Sequence, residues 1–327
     1  MTVDARSTLR IGTRGSELAL YQARAVAARL AAQTGIATEI AVIRTSGDRL
    51  AEAPLSEIGG KRLFVKEIED ALLGHEVDLA VHSSKDMPVV LPDGLTIAGV
   101  LAREDPRDAL VLPAGRAPLS VEQARHAFGT DARIGTSSIR RIAQLTTLWP
   151  GARFVPVRGN LNTRLRKLDG GEYDALILAA AGLRRLEFSH RLSGLLPLDA
   201  CVPAPGQGII AVEVREDDDA TRRLVAAIDD GPARAALAAE RAVIGRLGGG
   251  CQMPIGACAV HDGDDLTMRA IVVAPDGTRA ARAAARGPAS DPEALGVSIA
   301  ELLLADGAGD ILAAVLQTQA DVKGLQP

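Results

Sequence analysis

Hydrophobic and polar residues in the first half of the chain alternate between two periodicities. Short β-branched runs at 9–13 (LRIGT), 38–45 (TEIAVIRT) and 77–84 (VDLAVHSS) are typical of buried strands. Residues 17–33 and 64–75 carry apolar positions at helical spacing. Strands that alternate with helices imply crossover connections, so this half predicts a mainly parallel α/β sheet. The first helix is predicted to present one apolar side, made up of Leu18, Leu20, Tyr21, Ala25 and Ala28.

The same pattern restarts in the middle of the chain. The tetrapeptide RIGT occurs at 10–13 and at 133–136, each time at the end of a predicted strand and before a serine and a helix. Residues 77–81 (VDLAV) and 173–178 (YDALIL) correspond in the same way. We predict two α/β domains of similar topology; the alternative is chance repetition in a sequence rich in Arg, Ile and Gly.

The last third has a different pattern. It predicts a helix over 233–246, two strands on either side of an Asp276–Gly277 turn, and a closing helix over 292–304. This order favours a smaller antiparallel α+β domain. Proline-containing segments near 101–110 and 201–208, and the segment 229–234, are predicted linkers.

Composition narrows the functional classes. The 327 residues carry a net charge of -4 and only 2% aromatic residues, which does not indicate a partner nucleic acid. No apolar run approaches the roughly 20 residues that span a bilayer, and the N-terminal residues lack an apolar signal core, so we expect a cytoplasmic protein. Cys251 and Cys258 lie seven residues apart without flanking histidines, so no metal site is predicted.

Several loops after predicted strands combine hydroxyl and guanidinium groups at the start of a helix. They contain Arg14 and Ser16, then Ser137, Ser138, Arg140 and Arg141, then Arg158 and Arg164, and finally Arg184 and Arg185. A helix N-terminus attracts anions, and arginine binds carboxylate or phosphate through two parallel hydrogen bonds. Two such sheet edges facing each other predict a cleft for a ligand with several anionic groups. Neither a P-loop nor a dinucleotide fingerprint occurs. For any single arginine, a solvated helix face is the alternative.

Ser83, Lys85 and Asp86 follow the third predicted strand. A carboxylate there could act as an acid or base or stabilise a developing cation. Alternatively, Asp86 caps the turn before Pro88. His82 is expected to point away from Ser83 and to pack in the interior.

Cys251 follows three glycines in 247–256 (LGGGCQMPIG). Such dense glycine exposes the backbone and leaves room beside the thiol. The alternative is a small buried cysteine of the kind common in cores, and Cys201 and Cys258 are expected to be packing residues.

Nine segments together resemble the porphobilinogen deaminase (hydroxymethylbilane synthase) family, in family order over nearly the whole chain. They are RIGTRGSELAL, GGKRLFVKEIE, AVHSSKDMP, REDPRDAL, IGTSSIRR, VRGNLNTRL, EYDALILAAAGLRRL, PGQG and LGGGCQMPIG. The resemblance implies two similar periplasmic-binding-protein-like α/β domains with mainly parallel mixed sheets, and a smaller C-terminal α+β domain. It further implies that domain 1 comprises 1–103 and 208–228, domain 2 comprises 104–207, and domain 3 comprises 229–327.

The resemblance also implies a reaction and its residues. Four porphobilinogen molecules are condensed onto a dipyrromethane cofactor held by Cys251 through a thioether, ammonia is released at each step, and water frees the linear tetrapyrrole. Asp86 is the implied catalytic carboxylate, and Lys61 and Phe64 belong to a flap over the cleft. Arg62 stands where relatives often have glycine or serine. The implied contacts to cofactor or substrate carboxylates come from Arg14, Ser16, Ser83, Lys85, Thr136, Ser138, Arg140, Arg141, Arg158, Arg164 and Arg185.

By the same resemblance we expect a monomer whose partner is the small-molecule substrate, with neither nucleic acid nor membrane. Two other functions fit part of the pattern. A non-catalytic two-lobed anion-binding protein would use the arginines but would give Cys251 and Asp86 no special role. A hydrolase with Cys251 as nucleophile would need a nearby histidine or a nucleophile elbow, which the sequence does not show.

Overall fold

The computed structural model describes residues 8–49, 65–129, 131–250 and 253–324. The chain divides into two compact units, one formed by Met1–Arg103 with Ile209–Arg234 and the other by Glu104–Gly208 with Ala235–Pro327. Among the helices of these described stretches, none combines the length and apolar character that a bilayer span requires.

The secondary structure alternates strands and helices over most of the chain. The strands are β1 (Thr8–Thr13), β2 (Ala37–Val42), β3 (Leu79–Ser83), β4 (Leu95–Val100), β5 (Asp108–Val111), β6 (Arg133–Gly135), β7 (Arg153–Val155), β8 (Ala175–Ala179), β9 (Gly194–Leu195), β10 (Ile210–Arg215), β11 (Ile255–Asp262), β12 (Asp265–Val273) and β13 (Ala280–Pro288). The helices are α1 (Glu17–Thr34), α2 (Ser46–Arg49), α3 (Lys66–Leu73), α4 (Val121–Ala127), α5 (Ile139–Leu148), α6 (Leu161–Asp169), α7 (Ala180–Arg185), α8 (Asp219–Ala226), α9 (Gly231–Leu247), α10 (Pro292–Ala305) and α11 (Ala308–Gly324), with short 3₁₀ turns at Ser84–Asp86 and Ser189–Arg191.

The two five-stranded sheets have the same strand pattern, one in each unit. Their orders are β2-β1-β3-β10-β4 and β7-β6-β8-β5-β9. The first three strands of each order are parallel, the fourth is antiparallel to both its neighbours, and four of the five strands therefore point the same way. The RIGT repeats lie at the carboxyl ends of β1 and β6, which hold the same position in the two sheets. The predicted fold class is confirmed, and with it the similar topology of the two α/β regions.

The third sheet, β11-β12-β13, is antiparallel, as predicted for the C-terminal region. Its core includes Ala239 of α9, Met268 of β12 and Ile299 of α10. Gly296 allows α10 to lie close to α9, because a Cβ at this position would meet the Ala239 carbonyl oxygen at 2.2 Å. Within the same unit, α5 packs on this sheet through Ala143 and Ile271. The exact domain boundaries stay a prediction.

Helix α1 begins and ends at residues that are typical helix caps, but its buried side differs from the predicted one. The side chain of Ser16 caps its first turn by accepting a hydrogen bond from the Ala19 N–H, and Gly35 ends it with φ 71°. The predicted apolar side was wrong, since Tyr21 is 42% exposed. The buried residues are Ala19, Gln22, Ala23, Val26 and Leu30. These repeat at helical spacing too, and their mostly small side chains let the helix lie close to the sheet.

Candidate functional site

The carboxyl ends of β1 and β3 bring four predicted site residues together in the first unit. These strands are parallel neighbours, so the loops that follow them leave from the same edge of the sheet. Arg14 and Ser16 come from the first loop, and Ser83 and Asp86 from the second. All four line a cavity of about 70 Å³, which His82 and Gln22 also line. We refer to it as the Asp86 cavity.

The groups around the Asp86 cavity are held differently. Ser83 is fixed by Gln22 of α1, with Nε2 to Oγ at 2.8 Å and Oγ to Oε1 at 3.1 Å. Asp86 ends a 3₁₀ turn and is exposed. Its side chain accepts no hydrogen bond from any described residue, which does not support the alternative of a turn cap. The carboxylate is therefore available to a ligand, while Ser83 is oriented by the protein.

His82 is buried, as predicted, with 4% of its surface exposed. Its position was only partly anticipated from the sequence, because the ring also lines the Asp86 cavity beside Ser83. Strand alternation places adjacent side chains on opposite faces, but it cannot show that the strand ends at a cavity that both residues reach.

In the second unit, the other predicted site arginines lie at the corresponding edge of the sheet. Strands β6, β7 and β8 are parallel, and the segments after them carry the predicted groups. Thr136 and Ser138 follow β6, Arg158 and Arg164 follow β7, and Arg185 lies in α7, directly after β8.

Hydrogen bonds fix several of these side chains. The Ser138 hydroxyl caps α5 by accepting from the Arg141 N–H, and Thr136 is buried. Arg164 Nε donates to the Gly159 carbonyl oxygen at 2.8 Å, and Arg185 Nη2 donates to that of Gly208 at 2.6 Å. Each of these guanidinium groups is thus oriented by the backbone.

Arg140 and Arg141 are both bound to Asp108, a buried carboxylate that the sequence analysis did not single out. Arg140 Nη2 donates to Asp108 Oδ2 at 2.7 Å, while Arg141 donates to Oδ1 from Nε at 3.0 Å and from Nη2 at 2.7 Å. Burial would raise the pKa of Asp108, but the two positive charges outweigh it and hold that pKa well below its ordinary value. Asp108 therefore stays ionised and fixes both arginines.

Two residues of the segment between the second sheet and β10 complete this cluster. Gln207 Nε2 donates to Asp108 Oδ1 at 2.9 Å, and the Cys201 thiol lies 3.4 Å from Oδ2. Burial and the negative charge of Asp108 raise the pKa of Cys201 to about 12. Cys201 is thus a neutral packing residue, as predicted, and Cys258 is buried too. The signal for Asp108 was its place in REDPRDAL, which the sequence analysis interpreted as a linker.

The Asp108 cluster contains two guanidinium groups and one carboxylate, and both arginines are at least nine-tenths buried. Their other hydrogen bonds go to neutral acceptors, the Val202 and Ile177 carbonyl oxygens and the Cys201 sulfur. Arg140 Nε is buried without a hydrogen-bond partner among the described residues. The cluster therefore carries a net positive charge beside the start of α5, where the helix dipole is also positive.

Three predicted residues, Cys251, Lys61 and Phe64, lie outside the described residues. Lys85 is described and half-buried beside Asp86.

A larger cavity of about 550 Å³ lies in the second unit, but no predicted site residue lines it. Its wall includes Asp105 and Arg107, which bind each other at 2.7 Å. Asp199 and Arg269 also line the wall, so its acidic and basic groups are equal in number and leave no excess positive charge for a polyanionic ligand.

The donors at each of the two edges are of the kind that bind the carboxylates of a dipyrromethane group. Guanidinium groups, hydroxyl groups and two helix N-termini are the groups that bind such anions. The excess positive charge of the Asp108 cluster points to the same chemistry.

Comparison with known proteins agrees with this chemistry. Residues 9–223 match the family model "Porphobilinogen deaminase, dipyromethane cofactor binding domain", and residues 235–305 match "Porphobilinogen deaminase, C-terminal domain". The substrate-binding domain 2 of GlnP from Lactococcus lactis aligns in structure over 69% of this chain and 89% of its own, with 10% identity and a TM-score of 0.42.

Two curated relatives are similar over nearly their whole length. Porphobilinogen deaminase of Acidithiobacillus ferrooxidans is 48% identical over 93% of this chain and 97% of its own. That of Geobacter metallireducens is 45% identical over 96% and 97%. The chain belongs to the porphobilinogen deaminase family.

Proposed function

We propose that this protein is a hydroxymethylbilane synthase that joins four porphobilinogen molecules head to tail on a covalently bound dipyrromethane. Ammonia leaves at each condensation, and water finally releases the linear tetrapyrrole. The observation that carries the proposal is the Asp86 cavity, where an exposed carboxylate stands beside the guanidinium of Arg14 and the hydroxyl of Ser16.

Asp86 is proposed as the catalytic carboxylate. Loss of ammonia from porphobilinogen leaves a cation whose charge spreads to the pyrrole nitrogen. A carboxylate next to the pyrrole ring stabilises that charge as it develops and accepts a hydrogen bond from the pyrrole N–H. Removing one such electrostatic partner costs on the order of 100-fold in rate.

Cys251 is the proposed attachment point of the dipyrromethane. When bound, this group supplies the pyrrole carbon to which the first substrate is joined. Its carboxylates and those of the growing chain would be held by the predicted contact residues, which are Arg14, Ser16, Ser83, Lys85, Thr136, Ser138, Arg140, Arg141, Arg158, Arg164 and Arg185. Lys61 and Phe64 are proposed to belong to a flap near the reacting groups.

Arg140 and Arg141 are proposed to act partly through the charge that they share with Asp108. One carboxylate neutralises one of the two guanidinium groups, so an anionic side chain of the ligand would compensate the other. This supports a binding role even though little of either side chain is exposed.

We also propose that the protein works as a cytoplasmic monomer with three domains, 1–103 with 208–228, 104–207, and 229–327. Support for these points comes from the family resemblance, and from the three separate sheets in the case of the domains.

The experiment is the intact mass of the purified protein with a turnover assay. We expect an adduct of two linked pyrroles on the wild type and none on Cys251→Ala. Asp86→Ala should retain the adduct and lose turnover, whereas Cys201→Ala should keep both. A wild-type protein that binds porphobilinogen without adduct or ammonia release would instead indicate an anion-binding protein.

A further inference from the structure

The carboxylate of Glu213 is completely buried and forms a pair with His82 behind the Asp86 cavity. Its Oε2 lies 3.1 Å from His82 Nε2, and the two side chains are 0% and 3% exposed. His82 stands opposite Ala211 in the β3–β10 pairing, two residues from Glu213, so both side chains lie on one face of the sheet. We call these two residues the His82–Glu213 pair.

An acid at this position is costly for the fold. All six residues of β10 are buried, and Glu213 has valines on both sides. The pairing of β10 with β4 also shifts register between Val212 and Glu213. Such bulges often occur next to active sites, where they re-aim a side chain. Hydrophobic packing alone would favour an apolar residue here.

The His82–Glu213 pair holds a proton in a defined place. Glu213 Oε1 is buried without a hydrogen-bond partner among the described residues, and the His82 ring lies within hydrogen-bond distance of Oε2. A buried carboxylate is stable when it is protonated or faces a protonated partner. Either arrangement puts one proton between Oε2 and Nε2 and leaves Nδ1 as an N–H donor. When the pair loses a proton, Nε2 keeps its hydrogen on the carboxylate side and Nδ1 becomes an acceptor.

The imidazole of His82 connects the His82–Glu213 pair to the Asp86 cavity, because His82 and Asp86 both line that cavity. A cavity of about 70 Å³ has room for a few water molecules. Besides Glu213, the charged groups that line the cavity with His82 are Arg14 from the β1–α1 loop and Asp86 from the 3₁₀ turn. Helix α3, which packs against β3, carries the buried Glu69.

We propose that the His82–Glu213 pair is the proton acceptor of the site, with His82 as the base and Glu213 as its positioning residue. This inference rests on the proposed function. Each condensation breaks a C–N bond, whose electron pair leaves with nitrogen as ammonia, and forms a C–C bond at a ring carbon that must lose a proton. The cycle starts from the pair that has lost a proton, in which Nδ1 carries no hydrogen and Nε2–H faces the Glu213 carboxylate. His82 takes the ring-carbon proton at Nδ1, directly or through one water, while the Nε2 proton shifts toward Glu213. Ammonia then takes a proton from the pair and leaves as ammonium, so the pair returns to its starting state.

A separate acceptor resolves a conflict of charge at Asp86. The aspartate stabilises a cation only while it is ionised. If it also kept the released proton, it would be neutral when the next cation has to form. The His82–Glu213 pair removes the proton without neutralising Asp86.

The first test observes the imidazole directly. In ¹⁵N spectra, His82 is assigned by its loss in His82→Gln, one of five histidines in the chain. We expect Nδ1 to change from a bare nitrogen to an N–H as the pH falls, over the same range in which the condensation rate falls. In Glu213→Gln, the pH range in which Nδ1 gains its hydrogen and the pH range in which the condensation rate falls should shift together. A ring that keeps one tautomer throughout the range of the rate change would overturn the proposal.

The second test is kinetic and has a matched control. His126 and Glu122 form an exposed pair of the same chemistry at 3.5 Å. His82→Gln should lower kcat by about 100-fold and remove the acid limb of its pH profile, with little change in KM. Glu213→Gln should lower kcat less, and His126→Gln and Glu122→Gln should match the wild type.

Chemical rescue separates catalysis from folding. Imidazole should restore part of the rate of His82→Ala, which a purely structural role would not allow. If the His82 variants do not fold, the isosteric Glu213→Gln decides: the acid limb of its kcat profile should move relative to the wild type, and an unchanged profile would overturn the proposal. Full activity with an unchanged pH profile in folded His82→Gln would refute the role of the His82–Glu213 pair as proton acceptor and leave the proposed function intact. A wild type that releases no ammonia would refute the proposed function itself.

Discussion

Asp86 and Asp108 stand at the same edge of two sheets with the same strand order, yet their surroundings are opposite. Asp86 is exposed and bound by no described side chain, whereas Asp108 is completely buried and accepts hydrogen bonds from two arginines and Gln207. The same residue type is therefore left accessible in one unit and holds two arginines in place in the other. Position in the fold does not distinguish these roles, but the partners do.

The largest expected effect on stability comes from Asp108→Asn. It leaves two buried guanidinium groups without a counter-charge, so we expect a loss of about 3–5 kcal/mol in the free energy of unfolding. Urea unfolding measures this loss. The control is Asp174→Asn, which removes an exposed aspartate bound to Arg133 at 3.0 Å and should lose a small fraction of that amount. Equal losses in the two variants would contradict the role assigned to Asp108.

The comparison also predicts a pH dependence. The pKa of Asp108 is lowered in the folded protein, so the unfolded chain takes up the proton first as the pH falls. The contribution of Asp108 to stability is therefore complete above the ordinary aspartate pKa of about 3.9 and lost as the pH falls toward the folded value. The gap in unfolding free energy between wild type and Asp108→Asn should narrow below about pH 4. A gap that stays constant from pH 7 to acid unfolding would count against it.

A smaller effect is expected for Arg141→Lys. Arg141 donates to Asp108 from two nitrogens and to the Ile177 carbonyl oxygen from a third at 2.9 Å. Lysine keeps the charge but cannot reproduce this planar set of donors, so we expect a loss of about 2 kcal/mol. The exposed Arg133→Lys should change the urea midpoint much less, and a comparable shift there would remove the geometric argument.

The smallest effect concerns the thiol beside Asp108. Because burial and Asp108 raise the pKa of Cys201 to about 12, almost no thiolate is present at pH 8. Iodoacetamide should therefore leave Cys201 unmodified in the folded protein, as peptide mass analysis would show. Rapid labelling without unfolding would mean that this cluster opens in solution.

The sequence predicted the repeated α/β pattern because RIGT and its neighbours mark equivalent strands, β1 and β6. It also placed Arg14, Ser16 and Asp86 after strands that proved to be neighbours. It could not predict the buried side of α1, because that side carries alanine and glutamine, whereas the larger apolar residue Tyr21 is exposed.

The roles of Asp108 and Glu213 were also beyond sequence reasoning. Asp108 meets Arg140 and Gln207 across separations of 32 and 99 residues, and Glu213 meets His82 across 131. Local pattern carries no information about such contacts. An acid within an apolar strand run, as in IAVEVR, is the signal that could have drawn attention to Glu213.

The most direct test of the account is the rate of a single condensation by Asp86→Asn that carries the two-pyrrole adduct. Rapid mixing with porphobilinogen, followed by quenching and intact mass, measures the first addition separately from product release. The account predicts an unchanged urea midpoint and a rate at least about 100-fold below that of the wild type. A rate within about threefold of the wild type would show that Asp86 does not stabilise the developing cation.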